Sequence, residues 1–248
     1  MINCDAMFTF FPTTAKKQIA PILMFLFSLQ ISFAQTDNSP NHILFPKPIG
    51  AGSLYSSLGA SITVIPRLIV EEGVIQLPMI DARAKYGITD EFYLSGRANI
   101  VYVTNQISLG AGWSYSYKNF SFSISDHFGY WFGFADFQGF DAASMGLANY
   151  PTITLGVAFN GLNVSLSGEA LITLSQHTYF GSASVGRFSP EYVGYAVILA
   201  VEEELWKNNY FIFGARFQYS LPMYQTWLAF STSYRWALFP EFFIGYEL

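Results

Sequence analysis

Apolar and polar residues alternate along residues 106–124, with one interruption at Lys118-Asn119. Side chains at every second position of a β-strand point to the same face of the sheet. One face therefore carries apolar residues such as Trp113 and Phe122, and the other carries almost only Ser and Gly. This pattern predicts a β-hairpin that turns at Lys118-Asn119.

The same alternation recurs along most of the chain. Asn160-Gly161, between two alternating segments, is the strongest hairpin signal. Residues 135–150 are polar and rich in Gly, so we predict that they form the largest loop. Residues 178–188 alternate only weakly; counting them gives twelve strands, and omitting them gives eleven. The predicted strands are 53–64, 75–86, 91–103, 106–117, 120–132, 152–159, 162–174, 178–188, 192–202, 209–221, 226–236 and 242–248.

The polar faces of these strands carry few charges, which suits the narrow interior of a barrel whose apolar face meets lipid. Charged residues make up 12% of the 248 residues, about half the ~25% of soluble domains. After the N-terminal region there is no apolar run of ~20 residues, and lipid does not tolerate an open sheet edge. We therefore predict an all-β fold, a closed antiparallel up-and-down transmembrane β-barrel of about twelve strands over residues 53–248. Ten strands is the alternative, because such barrels have even strand numbers.

Several charged residues fall on the polar faces, where they would point into the lumen. A charge on the lipid side at mid-bilayer would cost roughly 2–4 kcal/mol. They either line a pore and set its selectivity or neutralise one another and plug a narrow barrel. The predicted lumen-lining residues are Asp81, Arg83, Lys85, Arg97, Glu169, Glu202, Arg216 and Arg235.

Aromatic residues make up 19% of the chain, and many outward positions near strand ends carry Trp or Tyr. This distribution is typical of the aromatic girdles at membrane interfaces. In strand 192–202 the alternation also assigns Val193, Tyr195 and Val197 to the outer face. The predicted lipid-facing belt consists of Trp113, Tyr115, Tyr117, Tyr219, Tyr234 and Trp236.

The N-terminal region has the features of a secretory signal peptide. Lys16-Lys17 precede an apolar core at residues 19–33, and Ser32-Phe33-Ala34 supplies small residues before a predicted cut ahead of Gln35. The core is short for the alternative, a membrane anchor helix. We predict that residues 1–34 are removed and that residues 35–52 form an irregular lead-in to the barrel. The only cysteine is Cys4, so the mature chain would have no disulfide and no thiol chemistry.

Together, the signal peptide, the alternating strands and a last strand at the extreme C-terminus resemble the transmembrane β-barrel proteins of the Gram-negative outer membrane. That class usually ends in an aromatic residue, with another apolar residue two positions earlier. Tyr246 and Leu248 occupy these positions, although the last residue is Leu rather than Phe. The resemblance implies location in outer-membrane lipid and recognition of the last strand by the barrel-assembly machinery. It identifies no particular family.

Catalytic signals are weak. In Ser125-Asp126-His127 the acid points away from its two neighbours on a strand, so the three cannot form a triad. We predict no catalytic site, and His127 is the only weak candidate. Keeping the same phase places Asp126 towards lipid, so either a bulge shifts the register there or Asp126 lies at the membrane rim. His42 and His177, in an irregular segment and a loop tip, are predicted to be surface residues, and no metal or cofactor site is expected.

The sequence therefore predicts a passive role: a small channel, or a structural or binding barrel that displays the 135–150 loop, with a small solute as a partner. A net charge of -5 gives no basic footprint for nucleic acid. One alternative is a secreted soluble barrel that holds an apolar ligand, which would require a more charged exterior. The other is a lipid-modifying outer-membrane enzyme that uses His127.

Overall fold

The fold was analysed in a computed structural model, which describes residues 42–67, 75–101, 104–137, 140–159, 162–188, 190–206, 209–221 and 235–248. The predicted signal peptide, most of the predicted strand 226–236, and Tyr234 lie outside these ranges. In the described ranges no helix is long and apolar enough to cross a membrane. The strands are β1 (Leu54–Ile65), β2 (Ile75–Gly87), β3 (Phe92–Ile100), β4 (Thr104–Tyr117), β5 (Phe120–Phe137), β6 (Phe140–Asn149), β7 (Thr152–Phe159), β8 (Leu162–Phe180), β9 (Ala183–Phe188), β10 (Glu191–Trp206), β11 (Asn209–Ser220) and β12 (Ala237–Glu247).

Ten of these strands close an antiparallel ring. Neighbouring strands pair in the order β1 to β6, then β8, β10, β11 and β12. The pairing of β12 with β1 and of β8 with β10 completes the circle. The predicted closed antiparallel β-barrel is therefore confirmed, with the alternative count of ten for the ring.

The two remaining strands, β7 and β9, lie off this path but in line with strands of the ring. β6 and β7 pair with β5 in one uninterrupted register, and Pro151 stands between them. β9 and β10 pair with β8 in a common register on either side of Pro190. Proline has no N–H to donate to the ladder, which accounts for an interruption at each of these two positions. Twelve strand segments thus make ten strand positions.

The prediction of a loop at residues 135–150 is wrong. β5 continues to Phe137, and β6 returns along it from Phe140 to Asn149. Ala142, Ser144, Gly146 and Ala148 are buried in the lumen and alternate with more exposed residues such as Met145 and Leu147. The segment lacks β-branched residues, so its alternation is between small and larger side chains rather than between polar and apolar ones.

On the other strands the polar residues face the interior and the apolar residues face outward, as predicted. Ser121, Ser123 and Ser125 of β5 are buried in the interior, whereas Val197 and Phe213 are exposed on the outer face. Val193 is an exception, because it is 3% exposed and packs inside the barrel. The register of β10 against β8 shifts between Tyr192 and Gly194, and this irregularity turns Val193 inward.

The two ends of the barrel differ in their connections. At the end that carries the start of β1 and the end of β12, the connections are short, such as Lys118-Asn119 and residues 160–161 and 207–208. At the opposite end, β1 and β2 are separated by residues 66–74, and β11 and β12 by residues 221–236. We call the first end the terminal end and the second the loop end.

Candidate functional site

Inside the barrel, charged side chains from several strands form a continuous network. Asp81 of β2, 4% exposed, accepts hydrogen bonds from Arg83 Nε and Nη2, both at 2.8 Å. Arg97 of β3 donates to the same carboxylate from Nη2, at 2.6 Å to Oδ2. One buried acid on β2 thus holds two arginines, which are opposite each other in the register.

The network crosses the lumen through Glu241 of β12. Its Oε1 accepts a hydrogen bond from Arg97 Nη2 at 2.7 Å, and its Oε2 lies 3.7 Å from Arg216 Nη1. Arg216 of β11 also donates to Glu169 of β8 at 2.5 Å and to Gln218 at 2.6 Å. Three acids (Asp81, Glu169 and Glu241) therefore balance three arginines (Arg83, Arg97 and Arg216) across the barrel interior.

A second group of charges binds the segment that precedes β1. Glu202 of β10, 1% exposed, accepts main-chain N–H groups from Ile43 at 3.0 Å, Leu44 at 2.5 Å and Phe45 at 3.0 Å. Lys85 of β2 donates from Nζ to the carbonyl oxygens of Phe45 and Lys47, each at 3.4 Å. We call residues 42–50 the N-terminal cap, because these contacts hold them across the terminal end of the lumen.

Side chains of the cap fill the space between opposite walls. Phe45 is 2% exposed, and its ring lies against Gly156 of β7, where an added Cβ would come within 2.5 Å of the ring. Ile43 and Ile49 pack with Tyr55, Ile212 and Phe243 from the surrounding strands. The interior surface at Gly156 is thus shaped to admit an aromatic ring.

Two histidine predictions need correction here. His42, predicted to lie on the surface, is 3% exposed within the cap, with Nδ1 3.5 Å from Glu202 Oε2. Its ring makes edge contacts with Phe45 and Tyr210. His177 lies inside β8, opposite Met145, rather than at a loop tip, because β8 continues to Phe180.

Above the cap lies a cavity of ≈ 160 Å³ whose lining includes both apolar side chains and many hydroxyl and charged groups. Ile43, Leu44 and Pro46 of the cap contribute to its lining at the terminal end. Towards the loop end the lumen contains a cluster of buried residues, the apolar layer, made of Trp131, Ala135, Ala142, Ala148, Tyr150, Leu171, Val193 and Leu221. The cavity also touches Arg97, Arg216, Glu169, His127 and hydroxyl groups of β4, β5, β7 and β8. It is large enough for water or a very small polar solute.

His127 faces this cavity rather than lipid. Its Nε2 lies 2.7 Å from Ser95 Oγ of β3, two strands away. Ser125 is on the same strand and Asp126 points to the outer face, so the sequence-adjacent triad does not form. A serine–histidine pair can support nucleophilic chemistry only with an orienting acid and an oxyanion site. Glu169, an acid that lines the same cavity, accepts a hydrogen bond from Arg216.

Most predicted lumen residues lie inside the barrel. Asp81, Lys85, Glu202 and Arg216 are buried, and Arg83, Arg97 and Glu169 are partly buried. Arg235 differs from its prediction, because it is exposed and lies two residues before β12. Of the predicted belt, Tyr115, Tyr117, Tyr219 and Trp236 are exposed and Trp113 is half-buried, with its Nε1 donating to Glu91 at 2.9 Å.

Two acids of the interior and the role of the cap were not predicted from the sequence. Glu241 and Glu247 of β12 are 1% and 4% exposed. The alternation that placed Phe242, Ile244 and Tyr246 outside already implied that Glu241 and Glu247 point inward. In the described ranges, no group of three or more His, Cys, Asp or Glu residues is arranged to hold a metal ion.

Comparisons with known proteins find likeness of structure only. No family model matches the chain, and no curated protein is significantly similar to it in sequence. The translocator domain of the autotransporter NalP from Neisseria meningitidis shows a TM-score of 0.46 at 10% identity, over 95% of this chain and 96% of that one. Neisserial surface protein A gives 0.40 at 12% identity over 81% and 99%, and Ail of Yersinia pestis gives 0.27 at 9% over 80% and 99%. At these identities no activity follows from the likeness.

Proposed function

We propose that this protein is an outer-membrane β-barrel whose lumen is closed at both ends, and that it acts as a structural or binding barrel rather than as an open pore. One observation carries the proposal: the N-terminal cap is bound across the terminal end of the lumen, and the apolar layer around Trp131 packs inside the lumen towards the loop end. An open channel needs a continuous wetted path. The interior arginines are engaged with acids instead of lining such a path.

The membrane location follows from the outer face of the barrel. Large apolar side chains such as Leu109, Phe120 and Leu155 are 69%, 64% and 55% exposed. In water this surface would be far larger than the apolar patches that soluble monomers tolerate. The soluble alternative also requires an apolar interior for its ligand, whereas this interior contains paired charges and hydroxyl groups. Among the described strands, all four connections at the terminal end are short, whereas two of the five at the loop end are longer, which favours a periplasmic location for the terminal end.

We propose no enzymatic role for His127. A lipid-modifying enzyme of the outer membrane needs its reactive groups where lipid can reach them. His127 instead points into a cavity behind the barrel wall, bonded to Ser95. This geometry favours a structural role for His127.

Conductance in planar bilayers tests the proposal. Purified protein, inserted and shown to be folded, should give no regular single-channel steps in 1 M KCl at moderate voltage. Stable, uniform steps from the unaltered protein would overturn the closed-lumen proposal. Location is tested separately by membrane fractionation, where release from cells by salt or osmotic shock without detergent would contradict an integral barrel.

A gated small-solute channel is the second candidate function. It is favoured by the way the cap is held, since Glu202 and Lys85 bind its main chain through hydrogen bonds of their charged side chains. Such a segment could leave the lumen without disturbing the wall. Steps that appear only in Glu202→Gln, and not in the exposed control Glu203→Gln, would favour gating over permanent closure.

A further inference from the structure

Asp126 is an ionisable residue on the outer face of the barrel wall. It is exposed, and the register between β4 and β5 runs through it without a shift, so the bulge, one of the two alternatives left open by the sequence, is absent. Along the outer face of β5, Phe120, Phe122 and Ile124 precede Asp126. Phe128, Tyr130, Phe132 and Phe134 follow it on the same face. The carboxyl group is therefore surrounded by apolar residues on its own strand.

Its position along the barrel axis is close to the middle of the apolar band. Asp126 is the seventh residue of the 18 in β5. With ~3.3 Å per residue and a strand tilt of ~40°, six steps from Phe120 correspond to roughly 15 Å along the axis. The apolar band of such barrels is ~25 Å tall. Asp126 thus lies far from either rim, where an ionisable group is costly and normally has a partner.

The described part of the chain supplies a hydrogen-bond donor to only one of the two carboxyl oxygens of Asp126. Asn149 of β6 donates from Nδ2 to Asp126 Oδ1 at 2.6 Å and, with its second hydrogen, to the carbonyl oxygen of His127 at a weaker 3.3 Å. Within the described ranges, Oδ2 of Asp126 has no donor. The strand arginines and lysine whose side chains are described, Arg83, Lys85, Arg97 and Arg216, turn into the lumen and supply no cation to this face.

We propose that Asp126 and Asn149 form the polar centre of an interface between two copies of this barrel in the membrane. The inference rests on the proposed membrane location. A two-fold interface presents the same patch from both copies, so the patch must be complementary to itself. This pair meets that condition, because each copy brings an amide donor and a carboxyl acceptor. Across the two-fold axis the second N–H of each Asn149 turns to the carboxyl group of the partner's Asp126.

The surroundings of the pair allow such an approach. Ala111 of β4 is directly opposite Asp126 in the register, and Pro151 stands opposite it on the other side. Both are small, so a second wall can come close enough to reach a short aspartate side chain. Leu109 and Phe128 flank the pair and are 69% and 58% exposed. A polar centre within an apolar rim is the arrangement that excludes solvent from interface hot spots.

Site-specific cross-linking tests the interface. The only native cysteine is Cys4, so a Cys4→Ser chain gives a thiol-free background. Ala111→Cys in this background, inserted in phospholipid vesicles and oxidised with copper phenanthroline, should give disulfide-linked dimers on a non-reducing gel. The matched control is Phe242→Cys, 52% exposed on β12 at the opposite side of the ring. It should stay monomeric under the same treatment.

Two further substitutions, made together with Ala111→Cys, link the dimer to the polar pair. Asp126→Leu should reduce the cross-linked fraction at least tenfold, whereas Asp126→Asn should retain it, because two amides also pair across a two-fold axis. Equal cross-linking at positions 111 and 242, or no effect of Asp126→Leu, would overturn the inference. Vesicle flotation keeps the two proposals apart: floated, folded protein that stays monomeric refutes only the interface, and protein that does not float refutes the membrane location as well.

Discussion

Glu241 connects the two halves of the interior charge network. Removing its charge therefore measures how much the network contributes to the free energy of unfolding. The carboxylate is 1% exposed, bonded to Arg97 at 2.7 Å and 3.7 Å from Arg216. Glu241→Gln keeps the size of the side chain and removes its charge. Three acids then become two against three arginines, which leaves one buried positive charge without compensation.

Removing one partner of a buried ion pair costs about 3–5 kcal/mol. We expect a loss near the lower limit, about 3 kcal/mol in the free energy of unfolding, because each arginine keeps a second acid. Arg97 retains Asp81 and Arg216 retains Glu169. The assay is urea-induced unfolding in phospholipid vesicles, followed by tryptophan fluorescence and extrapolated linearly to water.

The matched control is Glu203→Gln, since Glu203 is the exposed neighbour of Glu202 on β10. It should change the free energy of unfolding by no more than about 0.5 kcal/mol. The double variant Glu241→Gln/Arg97→Gln should be more stable than the sum of the single losses by about 1 kcal/mol or more, because it removes both members of a contact. Strict additivity, or a loss below about 1 kcal/mol for Glu241→Gln, would refute the network as a source of stability.

Three other predictions follow from the same structure. Gly156→Val should push the ring of Phe45 aside and expose the cap. The exposure is measured as faster alkylation of a cysteine introduced by Leu44→Cys. In the control Gly168→Val, where an added Cβ has no atom within 4 Å, the alkylation rate should stay unchanged. Leu109→Arg, on the outer face and 69% exposed, should cost about 2–4 kcal/mol in vesicles, and Tyr117→Arg beside the turn about 0–1 kcal/mol; equal costs would contradict the orientation of β4. His127→Ala should lower stability by about 1–3 kcal/mol through the lost bond to Ser95 while phospholipid turnover in vesicles stays at the background level; a turnover that depends on His127 would contradict the structural role.

The wall of the barrel could be predicted because its physical determinant is local. Alternation with a period of two assigns each strand side chain to one face without knowledge of its neighbours. It placed Asp81, Arg97 and Arg216 inside, and the same rule applied to β12 would have added Glu241. The rule failed where the ladder is irregular, as at Val193, and where small and larger side chains alternate instead of polar and apolar ones, as in β6.

The strand count depended on information that alternation does not contain. Pro151 and Pro190 interrupt hydrogen bonding but not register, so two long strands are each seen as two segments. In the sequence, a proline between two alternating segments is also what a turn would show. Only the pairing of both segments with the same neighbour distinguishes an interrupted strand from a hairpin.

The cap could not be predicted for a different reason: its binding uses main-chain atoms. Glu202 accepts three backbone N–H groups and Lys85 donates to two carbonyl oxygens. Any residue other than proline can supply both of these main-chain groups, so no sequence motif in residues 42–50 indicates that this segment binds in the lumen. The informative side chains are on the wall of the barrel. They are a buried acid on β10, Glu202, and a buried lysine on β2, Lys85. No single described residue on a neighbouring strand accounts for the burial of both charges. The recess at Gly156 adds a contact with a cap side chain, the ring of Phe45. A buried, unexplained charge on the inner wall of a narrow barrel therefore indicates an internal ligand, and here that ligand is the chain's own backbone.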